Sequence, residues 1–307
     1  MEIKRVHFIG LGAIGLKYAA RIHDADPSLV RIIANDARIA RFRATPPTVN
    51  GNPYDFEFVR PDHPGEPADV IFVAVKWRHL EQALADMRGF VGERTSIISL
   101  MNGIASEEVI AREFGRERVI YANVYMDAVR SGNAVTWRDI GRIVFGEENN
   151  AVVSARVKSI ETLFDKAHIP SNVPADMLRA HWAKFMLNVG INQASAVLRA
   201  PYGTFQTNRY ARELMLSAAQ EVVEISQCVG VGLDQSDIDR FLAIIDSLDP
   251  AGKTSMLQDV EGNRETEVDI FAGKVVDLGE RYGVPTPVNR TLLTIIRAID
   301  ADNRPDR

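Results

Sequence analysis

A doubly wound α/β sheet in the first half of the chain, followed by an all-helical second domain, is the fold this sequence predicts. Three observations carry it. Short apolar runs alternate with helical patterns through the first half, the run from Val70 to Val75 is unbroken and largely β-branched, and from Ala175 onward the apolar period is helical almost throughout. An unbroken apolar strand suits a parallel sheet buried on both faces. The length of 307 residues fits two domains, and 46% apolar with 25% charged residues excludes a disordered or low-complexity chain.

Val6 to Ile9 reads as the first strand, and after a glycine-rich turn Ala13 to about Ala25 reads as an amphipathic helix. Val30 to Ala34 is the second strand. A Pro/Gly/Asn-rich connection from Thr45 to Pro53 precedes the strand Val70 to Val75. Thr95 to Leu100 and Arg118 to Val124 extend the sheet, separated by helical patterns at Leu80 to Met87 and Ser106 to Phe114. The pattern changes after Gly146, where Val152 to Ala167 reads as a helix and Pro170 to Pro174 as a break. The domain boundary is therefore expected between 1–172 and 173–307. Helices are expected at 175–198, 208–229, 236–246, 264–282 and 287–299, punctuated by Gly203, Gly230, Gly232, Pro250 and Pro285. The tail after Ile299 is expected to fray.

Charge and cysteine content narrow the function. Thirty-six Lys and Arg against 41 Asp and Glu give a formal charge of −5, so no basic excess is available for a nucleic acid. The single cysteine, Cys228, excludes an internal disulfide and a thiolate zinc site; no metal is expected, and the expected compartment is a reducing cytoplasm. Lys4 and Arg5 before the apolar stretch from Val6 to Leu16 imitate a signal peptide, but His7, three glycines and the following Lys17 speak against one. No apolar run approaches the ~18 residues of a membrane helix.

Gly10-Leu11-Gly12-Ala13-Ile14-Gly15 follows a strand and opens a helix. In that context Gly10 permits the tight turn, Gly12 the approach of a pyrophosphate, and Gly15 close packing of helix on strand. The first domain thus reads as a Rossmann-type dinucleotide-binding domain. Asp36 stands where an acidic residue would hold an adenosine ribose, favouring NAD(H). Asn35, Arg38 and Arg41 lie beside it, and an arginine there can pair with the 2′-phosphate of NADP(H); as a solvated helix face the two arginines would bind nothing.

In the helix at 175–198, Lys184, Asn188 and Asn192 are spaced i, i+4, i+8 and form one polar line on an otherwise apolar helix. Such a line faces solvent or a cleft. Two asparagines are poor helix formers and an odd choice for a merely exposed face. Lys76 and Asn102 directly follow strands, at the carboxyl edge where open α/β sheets bind ligands.

These residues together resemble the ketopantoate reductase (2-dehydropantoate 2-reductase) family. The resemblance comprises the G-x-G-A-x-G opening, Lys76 at its strand end, the Leu100-Met101-Asn102-Gly103 turn, the Trp182-x-Lys184-x3-Asn188-x3-Asn192 helix, and Ser255-Met256-Leu257-Gln258-Asp259 followed by Glu267. It implies hydride transfer from NAD(P)H to the 2-oxo group of ketopantoate, giving pantoate for pantothenate and coenzyme A synthesis. It further implies Lys184 as general acid, Glu267 as second catalytic carboxylate, and Asn102, Asn188, Asn192 and Ser255 around substrate or nicotinamide. The cofactor, NADP(H) by resemblance with NAD(H) left open by Asp36, would touch Gly10 to Gly15, Asn35, Asp36, Arg38, Lys76 and Asn102. The partner is a small 2-oxo acid, and a homo-oligomer is left open.

The sequence departs from the family pattern at three places. Asn35-Asp36 stands where members often have Arg, His79 where some have Gln, and Tyr202 where some have Asn before Gly203. His181, one turn before Lys184, reads as packing. β-Hydroxyacid dehydrogenases also carry a Lys-x3-Asn helix, but their glycine-rich stretch before the lysine is absent from Arg179-Ala180-His181-Trp182-Ala183. No histidine stands in a lactate-dehydrogenase-like signature. The remaining alternatives are reduction of another 2-oxo acid on the same scaffold and a non-catalytic nucleotide sensor.

Overall fold

The computed structural model describes residues 2–125, 129–137 and 141–302. The chain divides into two compact units, Met1–Asn102 with Ser106–Leu178, and Gly103–Ala105 with Arg179–Arg307.

The first unit begins with β1 (Val6–Ile9), α1 (Ala13–Ala25), β2 (Val30–Ile33) and α2 (Asp36–Ala44). Short strands β3 (Thr48–Val49), β4 (Asn52–Pro53) and β5 (Glu57–Val59) precede β6 (Val70–Val73), α3 (Leu80–Met87), β7 (Ser96–Ser99), α4 (Ser106–Phe114) and β8 (Val119–Tyr125). Then come β9 (Val129–Ser131), β10 (Ala134–Thr136), β11 (Arg142–Gly146), α5 (Ala155–Lys166) and β12 (Ser171–Asn172). Eight strands form one sheet in the order β12-β11-β8-β7-β6-β1-β2-β5. From β8 to β5 every pairing is parallel; β11 runs antiparallel to β8. The chain leaves β1 toward β2 on one side and returns to β6 on the other. With right-handed crossovers, that reversal winds helices onto both faces.

The sheet core is built from side chains such as Phe8, Phe72 and Phe145, all fully buried, with Phe8 and Phe72 stacked 4.7 Å apart. Burial of each such ring contributes about 1.5–3 kcal/mol.

Several expectations shift. The Thr45 to Pro53 connection contains β3 and β4, which join β10 and β9 in a second, four-stranded sheet ordered β4-β3-β10-β9. The β9–β10 hairpin turns on Gly132 and Asn133, with Ser131 opposite Ala134 and Gly132 at φ +58°; Gly-Asn is a favoured two-residue hairpin loop. Strands of two or three residues are too short to show a period. The boundary falls at Leu178/Arg179 rather than 172/173, because the amides of Met177 and Leu178 bond to the Glu148 carbonyl (3.1 and 3.3 Å) and hold that turn to the first unit.

The second unit is helical: most of α6 (Met177–Leu198), then α7 (Tyr202–Thr207), α8 (Arg209–Cys228), α9 (Gln235–Ser247), α10 (Ser255–Glu261), α11 (Ala272–Tyr282) and α12 (Pro287–Asp302). Helix α6 approaches its neighbours closely at Gly190, where a Cβ would lie 3.0 Å from the Met215 carbonyl oxygen and from the Phe241 ring. The expected helix 264–282 is in fact a loop, a 3-10 turn at Val268–Ile270 and α11. Asn263 takes φ +49° after α10, so the charged run from Glu261 to Glu267 does not continue as a helix. Helix α12 runs past Ile299 to Asp302, since buried Asp300 accepts hydrogen bonds from the Thr266 amide and hydroxyl (3.2 and 2.7 Å); residues 303–307 of the expected frayed tail lie outside the described residues. Among the described residues no helix is long and apolar enough to cross a membrane.

Candidate functional site

Register decides where the first unit presents its site. Ile9 pairs with Ile33 and with Val73, and Val73 pairs with Ser99, so four parallel strands end in one row. The residues that follow, Gly10, Asn35, Lys76 and Asn102, therefore lie along one carboxyl edge. They flank the strand at which the order of connection reverses.

The three glycines at that edge do different work. Gly10 has φ +96°, and a Cβ there would sit 2.5 Å from the Ala74 carbonyl oxygen. A Cβ on Gly15 would overlap the Gly10 carbonyl oxygen and come within 2.8 Å of the Ala74 Cβ. Gly12 differs: its Cβ would meet only the Ala74 oxygen, at an ordinary 3.6 Å. Packing explains Gly10 and Gly15 and leaves Gly12 unexplained. Gly12 also caps α1 without a side-chain hydrogen bond, and the first turn holds no acidic residue. Leu11, Ala13 and Ile14 complete a turn whose helix-end amides and positive dipole are available to an anion.

Asn35 is the N-cap of α2, its Oδ1 accepting the Arg38 amide at 3.0 Å. Asp36, the first residue of that helix rather than the last of a strand, pairs with Arg60 Nε at 2.7 Å. Sequence reasoning missed Arg60. It follows β5, whose three residues gave no strand signal. Lys76 is exposed just before a 3-10 turn at Trp77–His79, which contains His79. Asn102 is half-buried, and the chain after it joins the second unit, where Gly103 at φ +86° has its Cβ direction 3.2 Å from the Ile270 carbonyl oxygen.

In the second unit, α6 carries Lys184 half-buried, with Asn188 and Asn192 buried on the following turns. Asn192 Nδ2 donates to Asn188 Oδ1 at 3.3 Å. Among the described residues neither amide makes another side-chain hydrogen bond, which leaves donors and acceptors for a ligand. Glu267, half-buried, precedes the 3-10 turn Val268–Ile270. Ser255 is exposed as the first residue of α10. The cap of that helix is the neighbouring Thr254, fully buried, which accepts the Leu257 amide at 3.1 Å and donates to Ser195 Oγ at 3.1 Å. Tyr202, the first residue of α7, bonds through its amide to the Gly252 carbonyl at 3.0 Å. His181 is buried. Among the described residues no group of three or more His, Cys, Asp or Glu could hold a metal ion.

Thus one unit offers an anion-ready glycine turn at a switch point, and the other a lysine aligned with two incompletely bonded asparagines. The same division appears in known proteins. Residues 6–150 match the family model described as Ketopantoate reductase PanE/ApbA, and residues 176–300 match that family's C-terminal model. The chain belongs to the ketopantoate reductase family. Members are reductases, and this one is 24% identical to a 2-dehydropantoate 2-reductase of Aquifex aeolicus (strain VF5), with 97% of each chain covered. Its fold is similar to that of a D-mandelate dehydrogenase solved with NADH and anilino(oxo)acetate, at TM-score 0.87 and 19% identity over 97% of this chain and 99% of that one. It is also similar to a dimeric ketopantoate reductase of Staphylococcus aureus, at TM-score 0.80 and 22% identity over 98% and 100%.

Proposed function

We propose that this member of the ketopantoate reductase family reduces ketopantoate to pantoate with a nicotinamide cofactor bound at the glycine turn. The observation that carries the cofactor is Gly12, a glycine no packing contact demands, at an uncapped helix N-terminus. Gly10, Leu11, Gly12, Ala13, Ile14 and Gly15 would hold the pyrophosphate, Asn35, Asp36 and Arg38 the adenosine ribose, and Lys76 and Asn102 the nearer half. When bound, NAD(P)H supplies the hydride and no proton. NADP(H) is the favoured form, since Arg60 already pairs with the Asp36 carboxylate that would repel a 2′-phosphate, and Arg38 and Arg41 lie on the same helix.

The proton is the protein's task. Lys184 polarises the 2-oxo oxygen and donates a proton to it as negative charge develops. Asn188 and Asn192 bond substrate carboxylate or hydroxyl with the polar atoms they do not spend on each other, Ser255 adds a hydroxyl, and Glu267 orients the lysine. Reduction of a different 2-oxo acid is the second reading, favoured by Tyr202 in place of the asparagine some members carry. The test is a panel of 2-oxo acids, ketopantoate and an aryl 2-oxo acid among them, assayed separately with NADPH and NADH. Ketopantoate with NADPH is expected to give the highest kcat/KM. A better aryl acid would transfer the proposal to the second reading, and no turnover with any acid would refute both.

A further inference from the structure

Several arginines of the first unit have a carboxylate within reach: Arg31 with Glu57 (3.0 Å), Arg60 with Asp36 (2.7 Å) and Arg88 with Glu113 (2.6 Å) are examples. Arg38, Arg41 and Arg130 make no ion pair among the described residues. Arg38 and Arg41 are one turn apart on α2 and so share a face of that helix. The Arg41 guanidinium carbon lies 4.8 Å from the Phe42 ring centroid.

Arg130 comes from far along the chain, and the fold carries it to α2. Its strand, β9, forms a hairpin with β10, and β10 pairs in parallel with β3, directly after α2. Asn133 in the hairpin turn donates from Nδ2 to the Thr45 carbonyl at 2.8 Å, and its own carbonyl accepts the Thr48 amide at 3.1 Å. Arg130 Nε donates to the Gly132 carbonyl at 2.9 Å, which fixes the guanidinium plane and leaves its two terminal nitrogens for another acceptor. The charge on Arg130 is disfavoured first by desolvation and then by the charges of Arg41 and Arg38. A dianion placed among them relieves that repulsion, and guanidinium forks match phosphate oxygens.

We propose that Arg130 completes, with Arg38 and Arg41, a three-guanidinium site for a phosphomonoester dianion, the 2′-phosphate of NADP(H). The inference rests on the dinucleotide reading of the first unit and adds a binding residue from outside the α/β sheet.

Isothermal titration of the full chain with 2′,5′-ADP and with ADP isolates the 2′-phosphate. The wild type is expected to bind 2′,5′-ADP more tightly. Arg130→Gln is expected to lose roughly tenfold in affinity for 2′,5′-ADP with ADP unchanged, and the unchanged ADP affinity reports an intact fold. An Arg130→Gln variant that keeps the preference, while Arg38→Gln with Arg41→Gln loses it, overturns the role of Arg130 and leaves the NADP(H) reading standing. Equal weakening toward both ligands also overturns it, as a structural effect of the substitution. A wild type that binds the two ligands equally overturns the site and the NADP(H) preference together.

Discussion

Helix α6 carries two sets of buried amides, and they differ in how far the protein satisfies them. Gln193 donates to the Val189 carbonyl at 2.8 Å and to Asn289 Oδ1 at 3.0 Å. Asn289 in turn donates to the Ala218 carbonyl and to Glu221, whose carboxylate also accepts the Val288 and Asn289 amides at the start of α12. Only Gln193 Oε1 is left over. One residue away, the Asn192 side chain hydrogen-bonds, among the described residues, with Asn188 alone, at 3.3 Å. The first set ties α6, α8 and α12 together and needs no ligand to explain it. The second gains little for the fold, which supports the role in substrate binding proposed for it.

The contrast is broken or sharpened first by Glu221→Ala. Loss of that carboxylate leaves Asn289 and the first amides of α12 unpaired, and should cost about 3 kcal/mol of stability in urea unfolding, with kcat/KM of the folded fraction unchanged. A mutant as stable as the wild type would mean that the network does not hold the helices.

Buried His7 provides a control in the other unit, where an unsatisfied polar group has no functional reading. Among the described residues neither ring nitrogen has a hydrogen-bond partner, and burial, aided by Arg31 and Arg5, pushes the imidazole down from 6.5 to about 4. The unfolded chain takes up the proton below about 6.5 and the folded one only near 4, so stability is full at neutral pH. It falls as pH drops through that window, by up to about 3 kcal/mol. Unfolding at pH 7 and pH 5 should show the slope in the wild type and lose that part of it in His7→Leu.

The glycine turn permits the same test of packing against function. Gly15→Ala should lose about 1–3 kcal/mol of stability through overlap with the Gly10 carbonyl. Gly12→Val should instead fold with near wild-type stability and abolish cofactor binding, read by calorimetric titration. If both variants bound cofactor normally, the turn would be only a turn. Smallest in free energy is Asn188→Ala: the KM for the 2-oxo acid should rise roughly tenfold with little change in melting temperature. The reverse pattern would move Asn188 into the structural set.

Much of this was legible before the structure. Strand β1, helix α1 and helices α3 and α4 lie where period and glycine spacing predict them, because each buries a repeating apolar face. The polar line on α6 was legible for the complementary reason, since it interrupts such a face. Illegible were β3, β4, β9 and β10, whose stability comes from a sheet closed by pairing between residues 48–49 and 134–135. Gly132-Asn133 was a hairpin signal in plain view, and with it Arg130 would have entered the cofactor argument from the start. The partners of Asp36 and Asn289, Arg60 and Glu221, are distant in sequence and fixed only by tertiary structure.

Single-turnover oxidation of NADPH by ketopantoate, followed in the wild type and in Lys184→Ala, tests the chemistry assigned to α6 most directly. The expected result is a rate at least ~10²-fold lower in the mutant with NADPH affinity unchanged, since a general acid typically contributes 10²–10⁴. A mutant that transfers hydride at close to the wild-type rate would contradict the assignment of Lys184 as proton donor.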